Sequence, residues 1–326
     1  TPGTRYVAVA LASDDAGNNC LQPEKPCATV QYAVGQTMGG DAVNVATGVY
    51  TDALNAGQVV SVAHSIALMG GYTSTTWAND PEAYPTYLDG QNAGRAVIIT
   101  GPVTVTLAGF HIVSGTATSG GGVYVYTATS VISRCRVYSN TGDGIRVMDG
   151  DLTLERTWVY SNAGDGVGVN DSAFALVNNV IACNKGAGLR TTEVSTGSLW
   201  HNTFAHNAVA GAVVSGTARF TNTIFYSHTV GVSLMAGYAG LWNTLWWQNL
   251  TDTLGTVVSA SNVYSDPVFH NPDALDYHIR SGSGAIDTGV EAGVSEDIDG
   301  GPRPLLEGPD IGANEFSLQV TRFSTP

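Results

Sequence analysis

Charge is what this 326-residue chain has least of: Asp, Glu, Lys and Arg together make up 12% of it, about half the usual fraction. Only 13 residues are Lys or Arg against 27 Asp or Glu, so the formal net charge is −14. With no basic stripe to meet phosphates, nucleic acid is disfavoured as a partner, and an anionic membrane surface with it. No apolar run approaches the roughly 20 residues that span a bilayer, which predicts no membrane insertion in the mature chain. There are four cysteines, with no CxxC pair and no His/Cys cluster of zinc spacing. Lys and Glu are few, while forty glycines stand among many Thr, Ser, Asn and Val. That balance argues for an all-β fold with many tight turns.

A phrase recurs instead: "SNTGDGIRV" at 139–147, "SNAGDGVGV" at 161–169 and "CNKGAGLRT" at 183–191. With its Asn as register mark, the series runs Asn140, Asn162, Asn184, Asn207, His228 and Asn249, in steps of 22, 22, 23, 21 and 21 residues. Eight residues before the mark stand Ile132, Leu154, Leu176, Leu199, Phe220 and Leu241. Three before it stand Val137, Val159, Ile181, Phe204, Phe225 and Trp246. Five after it stand Ile145, Val167 and Leu189, with Val147 and Val169 two further on, a strand periodicity. Gly144, Gly166, Gly188 and Gly211 mark the bend before each such strand. A unit this short cannot bury its own apolar face, whereas stacked units can. Leucine-rich repeats share the period but not the Leu-x-Leu-x-x-Asn phrase, and a parallel β-helix with coils of about 22 residues fits better. The Asn column at a bend predicts a ladder of side-chain amides along the stack.

The ends of a solenoid need closing. Residues 1–40 are expected to form a terminal strand, a loop in which Cys20 and Cys27 pair, and a helix over 27–38 whose Val30, Ala33, Val34 and Met38 cover the core. Coils are expected over 41–265, with 72–90 as a loop insertion, and 266–326 as an irregular cap ending in a strand. Cys135 and Cys183 lie inside repeats and read as small hydrophobes. A local disulfide and a start at Thr1 rather than Met suggest an exported chain whose signal peptide is gone.

"KPCATVQYAV…GDAVNVATGVY" resembles the N-terminal entry of bacterial right-handed parallel β-helix repeat proteins. "DYHIRSGSGAIDTG", "DIDGGPRP" and "DIGANEF" within 276–316 are similar to the C-terminal segment of such proteins that carry the choice-of-anchor Q domain. The resemblance implies a right-handed β-helix and an extracellular or cell-surface location. It implies no particular reaction, because the fold hosts many. The chain stops at "SLQVTRFSTP" without a hydrophobic anchor, so an anchor is expected to have been removed or never to have existed.

Chemistry has several candidates. Nine residues after the mark stand Asp149, Asp171 and Glu193, expected to stack about 4.8 Å apart. Asp143 and Asp165 form a shorter column, with Arg146 and Arg190 between. Clustered carboxylates can hold Ca²⁺ or supply an acid and a base for glycan cleavage, the arginines meeting acid groups of the substrate. The alternative is turn chemistry, in which each Asp bonds local backbone. Asp297 and Asp299 of "DIDGG" resemble the start of a calcium loop, without the remaining ligands of an EF-hand. Two residues before the mark, Tyr138, Tyr160, Tyr226 and Trp247 are expected to point outward, where aromatics stack on sugar rings or on a neighbouring subunit. Leu318, Val320 and Phe323 alternate like a strand and can pair with an edge on another copy. Three readings follow: a self-assembling structural surface protein built head to tail, a non-catalytic adhesin for extracellular polysaccharide, and a polysaccharide lyase or glycoside hydrolase. The sequence ranks them in that order.

Overall fold

The computed structural model describes residues 2–9, 15–52, 57–192 and 194–317, and the fold is a right-handed parallel β-helix. Among the described residues the only helices are Val30–Gly35 and a 3₁₀ turn, Pro272–Ala274. The chain divides into two compact units, Thr1–Leu152 and Thr153–Pro326.

Most coils contribute three short strands, and like strands of successive coils pair in parallel; in two coils the first and second strands run together, as Ala212–Thr221 and Val230–Trp242. In the first unit the first strands of the coils are Gln58–Val62, Arg95–Thr100, Val123–Tyr126 and Ile145–Met148. Second strands include Ile66–Tyr72, Thr104–Ala108 and Thr129–Ser133, and third strands Gly48–Tyr50, Thr86–Asp89, His111–Val113 and Arg136–Tyr138. In the second unit the third strands are Trp158–Tyr160, Val180–Ala182, Thr203–Ala205, Ile224–Tyr226 and Leu245–Trp247, paired in order. Every member of the apolar columns eight and three residues before the mark is buried. Toward the C-terminal end the inner column becomes aromatic: Phe204, Phe225 and Trp246 stack nearly parallel, with ring centroids 5.1 and 5.0 Å apart.

The corners rest on single left-handed residues, a conformation uncommon outside glycine. Arg156, Asn178, His201, Asn222 and Asn243 take it between second and third strands, and Ser161, Cys183, His206, Ser227 and Gln248 after the third. The bend glycines do something else. Gly166, Gly188 and Gly211 have no positive φ, but a Cβ at Gly188 would lie 2.6 Å from the Gly211 carbonyl and 2.7 Å from the Phe204 ring. They are needed for close approach between coils, and not for the backbone freedom expected of them.

Two boundaries differ from expectation. The N-terminal helix is confined to Val30–Gly35, capped by Thr29 Oγ1 accepting from Tyr32 N, and Met38 is 75% exposed beyond it. Val30, Ala33 and Val34 are its buried side. The insertion predicted at 72–90 is shorter, because Thr86–Asp89 is a regular third strand. Nor does the rest stand away: Trp77 packs edge-on to Tyr6 at 4.7 Å and donates its indole N–H to the Pro23 carbonyl. A bond between Cys20 and Cys27 closes the adjoining loop.

The C-terminal segment departs most. It was expected to close an end, but it lies along the third strands of the second unit. A hairpin of Phe269–Asn271 with Asp276–Ile279 sets Phe269 edge-on to Tyr226 at 5.2 Å, Tyr277 Oη 3.0 Å from His206 Nδ1, and His278 beside Trp158. Further on, Val290 exchanges both backbone bonds with the Asn222 amide, and buried Arg303 pairs with Glu315 at 2.8 Å. The physical reason lies in the outward residues of these strands. Trp158, Tyr160, Val180, Ala182, Thr203, Ala205 and Ile224 would otherwise present a broad, mostly apolar sheet face to water.

Candidate functional site

Among the described residues, the carboxylates of the two columns sit in turns and ion pairs. Asp149 and Asp171 are exposed corner residues with φ of 53° and 50°, a conformation Asp tolerates through local hydrogen bonding. Asp171 Oδ1 accepts from Thr192 Oγ1, and that oxygen in turn accepts from Asp171 N. Glu193 lies outside the described residues. The arginines meant for substrate are engaged: Arg190 grips Asp165 through two bonds of 2.6 and 3.1 Å, and Arg146 pairs with Asp143 at 3.4 Å. Asp165 Oδ1 also accepts from Ala187 N one coil on, so this Asp bridges coils.

The Asn column forms amide-to-amide bonds in the second unit. Asn162 Nδ2 donates to Asn184 Oδ1 at 3.0 Å, and Asn184 Nδ2 to Asn207 Oδ1 at 2.9 Å. His228 replaces the next Asn, its Nε2 3.4 Å from Asn207 Nδ2 and its Nδ1 3.1 Å from Asn249 Oδ1. Burial, foremost, lowers its pKa to about 4, so the ring is neutral and serves as one donor and one acceptor. In the first unit, Asn140 bonds Gly115 N and the Ile112 carbonyl. A second ladder went unread: Asn179 Nδ2 donates to Asn202 Oδ1 at 2.9 Å in a buried column that also holds Thr157, Thr223 and Thr244. Its mixture of Asn and Thr hid the repeat.

The aromatic ladder is mostly not outward-open. Tyr160 is only 6% exposed, which corrects its expected role as a glycan contact, and Tyr226 leans on Phe269. Trp247 is half-buried. Cys135 is buried, with burial raising its thiol to about 11, whereas Cys183 is half-exposed at a corner with Sγ 3.7 Å from Tyr277 Oη. Asp297 is a structural acceptor: its carboxylate takes bonds from the backbone N–H of Asp299, Gly301 and Glu315 and from Asn314 Nδ2. Asp299 pairs instead with His278 Nε2 at 2.9 Å. Among the described residues no group of three or more His, Cys, Asp or Glu is arranged to hold a metal ion. Leu318, Val320 and Phe323 fall outside the described residues.

Tyr138 is placed differently. In the first unit the third strands turn polar and aromatic residues outward, and their register sets Tyr87 beside His111 and His111 beside Arg136, with Tyr138 next to Val113. The Tyr87 and His111 rings lie 4.7 Å apart, and His111 meets Tyr138 edge-on at 6.0 Å with Nδ1 3.4 Å from the hydroxyl. Arg136 reaches Glu82 of the insertion at 2.9 Å. Burial first, and then the Arg136 charge, depress His111 to about 4, Glu82 opposing, so the imidazole is neutral at neutral pH. Tyr87, His111 and Tyr138 are half-buried, leaving ring surface beside hydroxyl and imidazole groups, with Arg136 buried behind them. Such a surface can cover the apolar face of a sugar while bonding its hydroxyls.

The family model described as "Right handed beta helix region" matches residues 95–244. Among solved structures, pectate lyase Pel9A superposes over 97% of this chain and 97% of its own, with a TM-score of 0.57 and 15% identity. A rhamnogalacturonan lyase does so over 86% of this chain and 94% of its own, with a TM-score of 0.56 and 12% identity. At these identities the likeness is one of fold. No match to a curated protein is found. No helix among the described residues is long and apolar enough to cross a membrane.

Proposed function

We propose that this protein is an extracellular carbohydrate-binding β-helix that engages polysaccharide on the third-strand face of its first unit without cleaving it. The observation that carries the reading is the half-open cluster of Tyr87, His111 and Tyr138 with the Arg136–Glu82 pair. Equivalent strands of the second unit are covered by the chain's own C-terminal segment. Polysaccharide as ligand class is supported by a fold shared with two polysaccharide lyases. The non-catalytic part rests on the engaged arginines and the exposed, turn-forming Asp149 and Asp171. The Cys20–Cys27 bond supports an oxidising location, in keeping with the bacterial surface-protein resemblance of residues 276–316.

Affinity electrophoresis against a panel of neutral and acidic polysaccharides tests this. At least one glycan should retard the native protein, and Tyr87→Ala combined with Tyr138→Ala should abolish retardation. Binding unchanged by the pair would refute the site; release of unsaturated products, lost on His111→Ala, would refute the non-catalytic reading. Head-to-tail assembly has less support, since the helix Val30–Gly35 packs its apolar side on the strands of the N-terminal coils. A solenoid extends by stacking bare ends, and a capped end cannot stack.

A further inference from the structure

The second unit holds a cleft of about 410 Å³ that none of the sequence columns anticipated. One wall is the end of the second strands, with Glu155, Arg156, Asn178 and Trp200; the other is the C-terminal segment, from Ala292 to Glu296. Its size falls within the range of small-ligand sites, about 300–1,000 Å³.

Asn178 is the informative residue. It is 2% exposed and left-handed, and its Nδ2 donates to the Glu296 carbonyl at 2.6 Å. Its Oδ1 has no hydrogen-bond partner. Asn222 occupies the same corner further along this unit, and there the amide is fully used: Nδ2 donates to the Val290 carbonyl at 2.7 Å and Oδ1 accepts from Val290 N at 2.9 Å. The C-terminal segment thus satisfies one asparagine completely and the other by half, and the half-satisfied one lines the cleft. A buried acceptor left without a donor costs about 1–3 kcal/mol, so it is uncommon unless something else meets it.

The remaining lining says what can meet it. Arg156 Nε is likewise buried without a partner, while its Nη1 pairs with Glu296 at 2.5 Å. Its Nη2 occupies the space where a side chain at Gly300 would begin. A ligand therefore needs a hydrogen-bond donor for Asn178 and an acceptor for Arg156. Adjacent hydroxyls of a sugar provide both, and the half-buried Trp200 indole suits the apolar face of its ring. Two carboxylates, Glu155 and Glu296, line the cleft against one guanidinium, which pairs with Glu296, so an acidic sugar would add a further like charge. We propose that this cleft is a binding site for an uncharged pyranose, seated on Trp200 and donating a hydroxyl to Asn178 Oδ1.

The proposal stands on this cleft alone and does not depend on the first-unit face. Saturation-transfer NMR and calorimetry with methyl glucoside, galactoside, mannoside, xyloside and N-acetylglucosaminide, alongside galacturonic acid, test it. At least one uncharged glycoside should bind with Kd near or below about 1 mM. Trp200→Ala should weaken it at least tenfold. Asn178→Gly, which suits the left-handed corner, should weaken it about fivefold or more, close to 1 kcal/mol. Because those variants can disturb folding, Ala292→Phe fills the mouth from the exposed side and should block binding with the thermal midpoint unchanged. Tyr87→Ala with Tyr138→Ala should leave this binding intact, which separates the two sites. Absence of binding by every uncharged glycoside to about 10 mM, preference for galacturonic acid, or binding indifferent to Ala292→Phe and Trp200→Ala would each overturn the proposal.

Discussion

Asn184→Ala tests the amide ladder at its best-connected member. The side chain makes four bonds: Nδ2 donates to the Val159 carbonyl at 3.1 Å and to Asn207 Oδ1 at 2.9 Å, and Oδ1 accepts from Asn162 N at 3.1 Å and Asn162 Nδ2 at 3.0 Å. The groups around it are buried, so water cannot replace what is lost without opening the stack. At about 1 kcal/mol net per bond, plus the desolvation penalty of donors left idle, the cost is about 3–5 kcal/mol. That is a large share of the roughly 5–15 kcal/mol typical of a folded domain. Urea unfolding followed by far-ultraviolet circular dichroism should show a lower midpoint, its slope checked because stacked repeats can unfold in parts. A double-mutant cycle with Asn207→Ala should return a coupling above about 1 kcal/mol. A loss below about 1 kcal/mol, or no coupling, would show that the columns are merely adjacent and that the apolar bore carries the stability.

His228 makes the same ladder sensitive to acid. Its folded pKa is lowered to about 4, chiefly by burial, so the unfolded state takes the proton first, and stability is full above about pH 6.5 and falls as pH drops toward 4. At pH 5 the loss from this residue is about 2 kcal/mol, and His228→Asn should shrink the fall in thermal midpoint between pH 7 and pH 5; an unchanged fall would refute it. Truncation after residue 267 should uncover Trp158, Tyr160 and Ile224, read as binding of a hydrophobic dye and loss of solubility. A truncated chain that stays soluble and dye-free would contradict the cover. Replacing Cys20 and Cys27 by Ala removes a closure of seven residues' separation worth about 2.5 kcal/mol by loop entropy. Hydrogen exchange should quicken at Tyr6 and Ala8, whose amides bond the Cys20 and Cys27 carbonyls; unaltered exchange would mean that the loop holds itself.

The coil was legible because its inner columns are chemically uniform. Ile132, Leu154 and Leu176 repeat at one offset, Val137, Val159 and Ile181 at another, and all are buried. A parallel stack demands this, since each inward residue meets its own equivalent one coil away. Outward positions carry no such constraint. Tyr138 and Tyr160 hold one repeat position, yet Tyr160 is covered and Tyr138 stands half-open beside His111. A clue was present in the neighbouring residues. Outward positions are Tyr87, His111 and Tyr138, all half-buried, in the first unit but the buried Val180, Ala182 and Ala205 in the second, a change from polar and aromatic to small and apolar. No period reports it, because the cover comes from an aperiodic segment.

By itself, then, the sequence determined the solenoid, its coil length, the disulfide and the Asn column, all products of contacts between residues about 22 positions apart or fewer. Tertiary structure alone decided where residues 266–317 lie, and with them which faces stay open. It also decided that Arg146 and Arg190 are held by Asp143 and Asp165, and that Asn178, though bonded to the Glu296 carbonyl, keeps an idle acceptor. Those outcomes depend on contacts such as Asn178 with Glu296 and Asn222 with Val290, 118 and 68 positions apart. A residue's partner at such range is set by how the cover fits the coils, which local pattern does not encode.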